Sequence, residues 1–129
     1  MQSAHDLSDG GLAVTLAESC FASLSSLVGA QHAAPMLGAN VNLSDEPSAT
    51  EAALFNERGA RAIISVIPSK LADVLNTARQ YNVAAHQIGQ VIRGDAFRIQ
   101  YNGNAVIDSS VEALRDAWAH SLERTLAQR

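Results

Sequence analysis

The sequence predicts an α+β domain in which a mixed β-sheet is flanked by helices. Apolar segments with helical spacing alternate with short alternating or β-branched segments, in the order α–β–α–β–α–β–β–β–α. The 129 residues are 47% hydrophobic and 17% charged, which suits one packed domain over residues 1–129. No apolar run approaches the roughly 18 residues of a membrane span, so we expect no membrane partner.

The first half of the chain predicts a helix, a strand and a second, shorter helix. Apolar residues recur at helical spacing over residues 9–27, which predicts a wide apolar face. Residues 39–43 alternate apolar and polar side chains, as a half-buried strand does. Either Ser48 or Thr50 is expected to cap the second helix, which runs to Phe55 and is ended by Gly59. Few residues precede the first helix, so we expect a strand of the sheet to lie upstream.

The middle of the chain predicts a buried strand, a helix and a hairpin. Residues 61–67 are β-branched and nearly continuous, which favours a central strand covered on both faces. Ser69 is expected to cap an amphipathic helix, and residues 83–92 are expected to form the next strand. Residues 96–101 run into Asn102-Gly103, a strong hairpin signal because both positions of a type I′ turn need positive φ.

The last elements are a return strand over residues 105–107 and a long helix. Ser109 and Glu112 have the spacing of a capping box at its start. Apolar residues recur along the helix, and Trp118 is expected to be its core anchor.

Charge is distributed unevenly along the chain. The net charge is −4, and residues 1–57 carry seven acidic residues but neither Lys nor Arg. A basic footprint for nucleic acid is absent, so nucleic acid is not an expected partner. A phosphate site in the first half would have to use backbone N–H groups, a helix N-terminus or a metal held by carboxylates. Residues 1–6 have no basic or apolar leader and Cys20 is the single cysteine, so we expect a cytoplasmic protein with a core thiol.

Chemistry-bearing residues concentrate in residues 5–12, immediately before the first helix. Free N–H groups and the helix dipole favour an anion there, and Gly10 and Gly11 allow a phosphate to approach the backbone. Asp6 or Asp9 could hold Mg²⁺, and Ser8 could donate to a phosphate oxygen. Spacing alone leaves a second explanation open, in which the polar residues only cap the helix.

The remaining candidates carry weaker signals. His5 could contact phosphate or orient its neighbour Asp6, or it could have no role in binding. Asp9 is expected to cap the helix, and Arg61 is expected to form a surface ion pair. Three further histidines show no metal-ligand spacing and are interpreted as structural: His32, His86 and His120.

Residues 3–19, SAHDLSDGGLAVTLAES, closely resemble the segment that opens the C-terminal domain of the phosphoribosylformylglycinamidine synthase family. Further resemblance lies in residues 53–57 (ALFNE), 61–66 (RAIISV), 88–91 (IGQV) and 113–118 (ALRDAW). The wider superfamily is that of the AIR synthase-related proteins. The resemblance covers essentially the whole chain.

The resemblance implies a three-layered, partly ferredoxin-like fold of the AIR synthase C-terminal-domain type. It implies that the chain is a C-terminal fragment of a longer synthetase, whose upstream domains carry the main catalytic residues and most ATP contacts. The family makes formylglycinamidine ribonucleotide from formylglycinamide ribonucleotide, ATP and ammonia, in purine biosynthesis. A glutaminase supplies the ammonia, and a small accessory subunit is a further expected partner.

Two site residues follow from the same resemblance. Asp6 matches a family aspartate that binds Mg²⁺, and Ser8 matches a serine that contacts nucleotide at an auxiliary site. Mg²⁺ and ATP are therefore expected in the full enzyme, whereas no cofactor is certain for this fragment. No catalytic residue is assigned to this chain.

Alternative functions stay open on the sequence. The chain could belong to another superfamily member, a kinase or a selenophosphate synthetase, or it could be a free-standing small-ligand or dimerisation module. In the favoured interpretation the fragment is inactive alone. The missing domains would leave an apolar face exposed, so a homodimer of the fragment is expected.

Overall fold

A computed structural model describes residues 1–7, 9–25, 35–44, 48–57 and 59–128. The elements in chain order are β1 (Ser3–Asp6), α1 (Gly11–Ser25), β2 (Leu37–Leu43), α2 (Thr50–Phe55), β3 (Ala62–Ser65), a 3-10 turn (Pro68–Lys70), α3 (Leu71–Gln80), β4 (Gly89–Arg93), β5 (Ala96–Tyr101), β6 (Asn104–Ser110) and α4 (Val111–Ala127). The predicted α+β class is confirmed. In the part of the chain described, no helix is both long enough and apolar enough to cross a bilayer.

The strands form two sheets. The larger sheet has the order β4-β2-β5-β6, and it is mixed because β2 runs parallel to β5 while the other neighbours are antiparallel. The smaller sheet pairs β1 with β3 antiparallel, with His5 opposite Ile63 and Asp6 opposite Ala62.

The core lies between one face of the larger sheet and the helices α1 and α4. Phe97, Ile99 and Val111 are the most deeply buried of its side chains, and Leu12 and Leu16 meet them from α1. Alternation along the strands explains this arrangement, because side chains two residues apart share a face. The opposite face carries exposed polar side chains, which are Asn40, Asn42, Arg98 and Gln100.

The smaller sheet corrects two predictions. The sequence predicted no strand before α1, yet residues 3–6 form β1. The predicted central strand over 61–67 is wrong, because β3 spans only Ala62–Ser65 and Ile64 is 42% exposed. The β-branched run supplies strand propensity, but propensity does not determine which strand it pairs with or how deeply it is buried.

Strand and turn boundaries in the second half are partly as predicted. The hairpin at Asn102 and Gly103 is confirmed, with φ values of 46° and 84°. The strand predicted over 83–92 is shorter, since β4 begins at Gly89 and residues 83–87 are exposed and outside any strand.

Helix α1 begins at Gly11, two residues later than predicted, because Gly10 and Gly11 have left-handed φ values of 76° and 69°. Its predicted end at residue 27 lies outside the described residues. At α2 the predicted caps Ser48 and Thr50 are wrong, since Ala49 occupies the N-cap without a side-chain hydrogen bond.

The other cap predictions also require correction. Ser69 lies inside the 3-10 turn, and Lys70 precedes α3 without a side-chain cap. At α4 the cap is Ser110, whose Oγ accepts from the Ala113 N–H at 3.0 Å, rather than Ser109. The predicted capping box is not formed, because the backbone N–H of Glu112 donates to Oδ1 of Asp95 rather than to Ser109.

Of the two residues predicted to lie in the core, one is buried and the other is exposed. Cys20 is buried, as predicted, and burial raises the pKa of its thiol to about 11. Trp118 is 59% exposed, so the prediction of a core anchor is wrong. The start of α4 is anchored instead by Val111, which is completely buried.

Candidate functional site

The candidate site is the corner where β1 ends and α1 begins. Asp6 ends β1 with an exposed side chain, and Leu7 anchors the next position because it is 5% exposed. Ser8 lies outside the described residues. Gly10 and Gly11 then turn the chain into α1. The structure therefore places the predicted Asp6, Gly10 and Gly11 at one corner of the fold.

The two glycines are required by close packing. A Cβ on Gly11 would lie 2.7 Å from the carbonyl carbon of Phe55 and 2.8 Å from the carbonyl oxygen of Leu54. A Cβ on Gly10 would lie 2.6 Å from a methyl group of Val14. Positive φ explains glycine at both positions, and close contact adds to it: with Val14 of α1 at Gly10 and with the end of α2 at Gly11, whether or not a phosphate binds.

An internal carboxylate already occupies part of the predicted anion position. The backbone N–H of Gly10 donates to Oε1 of Glu57 at 2.8 Å. Negative charge is favourable close to a helix N-terminus, which explains why a glutamate following α2 lies there. Sequence reasoning missed this contact because 47 residues separate the two partners.

A second set of contacts fixes the backbone of Asp6. Nδ1 of His5 donates to the carbonyl oxygen of Asp6 at 2.9 Å, and Oγ1 of Thr15 donates to the same oxygen at 3.3 Å. Nε2 of His5 lies 3.8 Å from a carboxylate oxygen of Glu18 on α1. Thr15 is 1% exposed, so it fixes the end of β1 onto α1. Of the predicted roles for His5, this geometry fits the one that orients Asp6.

The carboxylate of Asp6 itself faces solvent, with its side chain 72% exposed. Within the described residues, no group of three or more His, Cys, Asp or Glu side chains is arranged to hold a metal ion. Mg²⁺ commonly takes one or two protein carboxylates and completes its shell with phosphate oxygens and water. An exposed carboxylate such as that of Asp6 is of the type that supplies one ligand in such a shell.

The other candidates lie in structural contacts or away from the corner. Asp9 is exposed beside the glycines. The guanidinium of Arg61 donates to the carbonyl oxygen of Asn56 at 2.6 Å, which ties β3 to the end of α2. His86 is exposed in the segment before β4, and His32 lies outside the described residues.

A surface ion cluster holds the remaining histidine. Nδ1 of His120 lies 3.0 Å from a carboxylate oxygen of Asp116, one helical turn earlier on α4. Arg124 also hydrogen-bonds Asp116, and this contact is the main reason that the pKa of that carboxyl is lowered. These contacts give His120 a structural explanation.

Comparison with known proteins yields one family. The model of the family described as "AIR synthase related protein, C-terminal domain" matches residues 1–102. Subunit PurL of phosphoribosylformylglycinamidine synthase is 31% identical in Prochlorococcus marinus and 37% identical in Chlorobaculum tepidum, over 98% of this chain in both cases. The chain spans only 15% and 16% of the length of these two relatives.

Solved structures agree on the fold. Thermotoga maritima PurL complexed with ATP superimposes on 87% of this chain with a TM-score of 0.70 and 24% sequence identity. The same protein complexed with FGAR has the same TM-score and identity, and the matched regions are 18% and 17% of those chains. A structure of PurLQS from the same organism matches with a TM-score of 0.68.

Proposed function

Because this chain belongs to the family of the AIR synthase related protein, C-terminal domain, we propose that it is the C-terminal domain of a phosphoribosylformylglycinamidine synthase. That enzyme is the ATP-dependent ligase that converts formylglycinamide ribonucleotide, ATP and glutamine-derived ammonia to formylglycinamidine ribonucleotide in purine biosynthesis. The 31% and 37% identity to PurL subunits over 98% of the chain supports this proposal. The chain spans about 15% of those relatives, so we propose that it is one domain of a longer synthetase, inactive alone.

The observation that carries the role of this domain is the open β1–α1 corner. An exposed carboxylate, Asp6, ends a strand beside the N-terminus of a 15-residue helix. In the proposed role, Asp6 would hold the Mg²⁺ that accompanies a nucleotide, and Ser8, Gly10 and Gly11 would contact its phosphates. Mg²⁺ in such a site neutralises phosphate charge. The contacts from His5 and Thr15 to the backbone carbonyl of Asp6 fix the end of β1, from which that carboxylate extends.

Glu57 limits how a phosphate can approach. Its carboxylate accepts the Gly10 N–H, so a phosphate at this N–H would have to displace a like charge. Gly11 is buried against α2, which restricts its contribution to a backbone N–H. The proposed site therefore depends more on the Asp6 carboxylate than on these two backbone N–H groups.

The proposed partners follow from the same assignment. The full synthetase would bind a glutaminase subunit and a small accessory subunit, and it would act in the cytoplasm.

A chimera tests this role. The chain replaces the matching C-terminal segment of the Chlorobaculum tepidum relative, and retention of Mg²⁺-nucleotide is measured by equilibrium dialysis with radiolabelled ADP. We expect Asp6→Asn to reduce retention at least about tenfold, since a carboxylate ligand is lost. Asp73→Asn is the matched control, because Asp73 is also exposed but lies on α3 rather than at the β1–α1 corner. Equal retention in the unsubstituted chimera and its Asp6→Asn variant would refute the assignment.

The isolated chain supplies a complementary test. We expect purified 129-residue protein neither to hydrolyse ATP nor to consume glutamine, because the main catalytic residues lie in other domains. Turnover that copurifies with the chain through successive columns would refute the proposal that it is one domain of a synthetase.

A further inference from the structure

The apolar stripe of α4 becomes more exposed along the helix. Four side chains at intervals of four residues define the α4 stripe: Leu114, Trp118, Leu122 and Leu126. Leu114 is half-buried, whereas Trp118, Leu122 and Leu126 are 59%, 69% and 60% exposed. Helical residues at this interval lie on neighbouring turns of one face. One half of the stripe therefore borders the core and the other half projects into solvent.

A groove adjoins the buried half of the stripe. It has a volume of about 220 Å³ and lies between α1, the end of α2 and α4. Its principal lining side chains are Val14, Ala17, Phe21, Phe55, Leu114 and Trp118. The rings of Phe21 and Trp118 are 5.9 Å apart, and Phe55 is half exposed at the opposite rim. The surface thus combines a recess with a ridge, which is formed by Leu122 and Leu126.

Charged side chains of α4 lie mainly on its other side. Asp116, His120 and Arg124 follow one another at intervals of four residues and form the ion cluster described above. At 3.6 residues per turn, these three positions face away from Trp118 and Leu122. Interface centres are depleted in charge relative to the rest of a protein surface. The α4 stripe is likewise free of charged side chains, and Arg115 lies at its border.

We propose that the α4 stripe is a docking surface for a second copy of this chain, in which two α4 helices pack antiparallel about a two-fold axis. An axis beside position 120 sets Leu122 of one copy against Trp118 of the other, and Leu126 against Leu114. The ridge of each copy then covers the recess of its partner. Such a self-complementary contact is the isologous arrangement of most homodimers. The same axis sets the border residue Arg115 opposite the hydroxyl of Thr125.

The apolar area agrees with a dimer of modest affinity. The exposed parts of Phe55, Trp118, Leu122 and Leu126 present roughly 450 Å² of apolar surface per copy. A standard interface buries about 800 Å² per partner, of which somewhat more than half is apolar. An interface of this size lies at the low end of the range for specific complexes, so we expect a weak, concentration-dependent dimer.

Sedimentation equilibrium of the 129-residue chain, from about 1 to 200 µM, tests this proposal because the range covers micromolar association. We expect a monomer–dimer equilibrium, together with a blue shift of fluorescence as concentration rises. Trp118 is the single tryptophan of the chain, so the emission reports on this surface alone. Leu122→Gln and Leu126→Gln should each raise the dissociation constant at least about tenfold, because each removes an exposed apolar contact and keeps a good helix former.

Val83→Gln is the matched control, since Val83 is 58% exposed outside the α4 stripe, and it should leave both readouts unchanged. Far-ultraviolet circular dichroism verifies that each variant is folded. A wild-type chain that stays monomeric throughout the concentration range would overturn the proposal. Association that survives both leucine substitutions with unchanged Trp118 emission would also overturn it, because another surface would then be responsible.

Discussion

Replacement of Gly11 by alanine tests whether packing determines the shape of the candidate site. The new Cβ would lie 2.7 Å from the Phe55 carbonyl carbon and 2.8 Å from the Leu54 carbonyl oxygen. Both atoms belong to the backbone, so α1 and the end of α2 must separate. We expect this overpacking to cost about 1–3 kcal/mol of unfolding free energy. The φ of 69° adds a penalty for alanine in the left-handed region.

Gly59→Ala is the matched control. Gly59 has a similar φ of 78°, but no atom lies within 4 Å of the Cβ that alanine would add. Its cost should therefore be the left-handed penalty alone, about 1 kcal/mol after the reduced entropy of the unfolded chain is subtracted. The predicted total for Gly11→Ala is about 2–4 kcal/mol. The difference between the two variants isolates the contact with α2.

Urea unfolding monitored by circular dichroism measures both variants, and the midpoints are compared at equal slope. We expect the midpoint of Gly11→Ala to fall well below that of Gly59→Ala. Equal midpoints would refute the packing argument. The glycine at position 11 would then need another explanation, such as the close approach of a phosphate.

Three further predictions concern ionisable side chains. Glu57→Ala should lower the free energy of unfolding in urea by about 1 kcal/mol, because the acceptor of the Gly10 N–H is lost. Glu57→Gln should lower it by less, because the amide oxygen can still accept that hydrogen bond. Equal losses in the two variants would contradict the role of this hydrogen bond. Cys20, whose pKa burial raises to about 11, should react with Ellman's reagent at pH 8 much more slowly in folded than in unfolded protein; equal rates would contradict its burial. The pKa of Asp116 is lowered in the folded chain, so its pairing with Arg124 stabilises the fold above the unfolded pKa, and this stabilisation is lost as pH falls through the folded pKa. Arg124→Gln should raise the pKa of Asp116 in a carboxyl NMR titration. An unchanged titration midpoint would refute the pairing.

The fold class was predictable because local patterns carry it. Apolar spacing located α1 and α4, and the alternation at residues 39–43 located β2. The turn at Asn102-Gly103 has sequence requirements that only a few residues meet, so it was predicted at the right position. These features depend on neighbours within a few residues along the chain.

The pairing of strands and the burial of individual side chains were not predictable from local sequence patterns. Nothing local to residues 3–6 shows that they pair with β3, about 60 residues later. The run at 61–67 has the composition of a buried strand, but its partner is a short edge strand, so Ile64 stays exposed. Trp118 has the spacing of a core residue, and the part of the helix beyond it extends past the core.

In the candidate site, too, the features within one short segment were predictable, and those that depend on tertiary contacts were not. Asp6, Gly10 and Gly11 lie in one short segment, so the sequence placed them together correctly. Glu57 and the packing of Gly11 against α2 depend on a tertiary contact, and no spacing rule could reveal them. Negative charge is favourable near a helix N-terminus, and the carboxylate of Glu57 lies there, while the predicted phosphate contact stays a prediction.

The most direct test of the proposed function is the rate at which the chimeric synthetase forms formylglycinamidine ribonucleotide with ammonia as nitrogen donor. The truncated relative without its C-terminal segment serves as the reference. We predict that the chimera containing this chain forms product at a rate within about tenfold of the parent enzyme, which corresponds to a barrier change below about 1.4 kcal/mol. A folded, monodisperse chimera that makes no more product than the truncated reference would contradict the proposal.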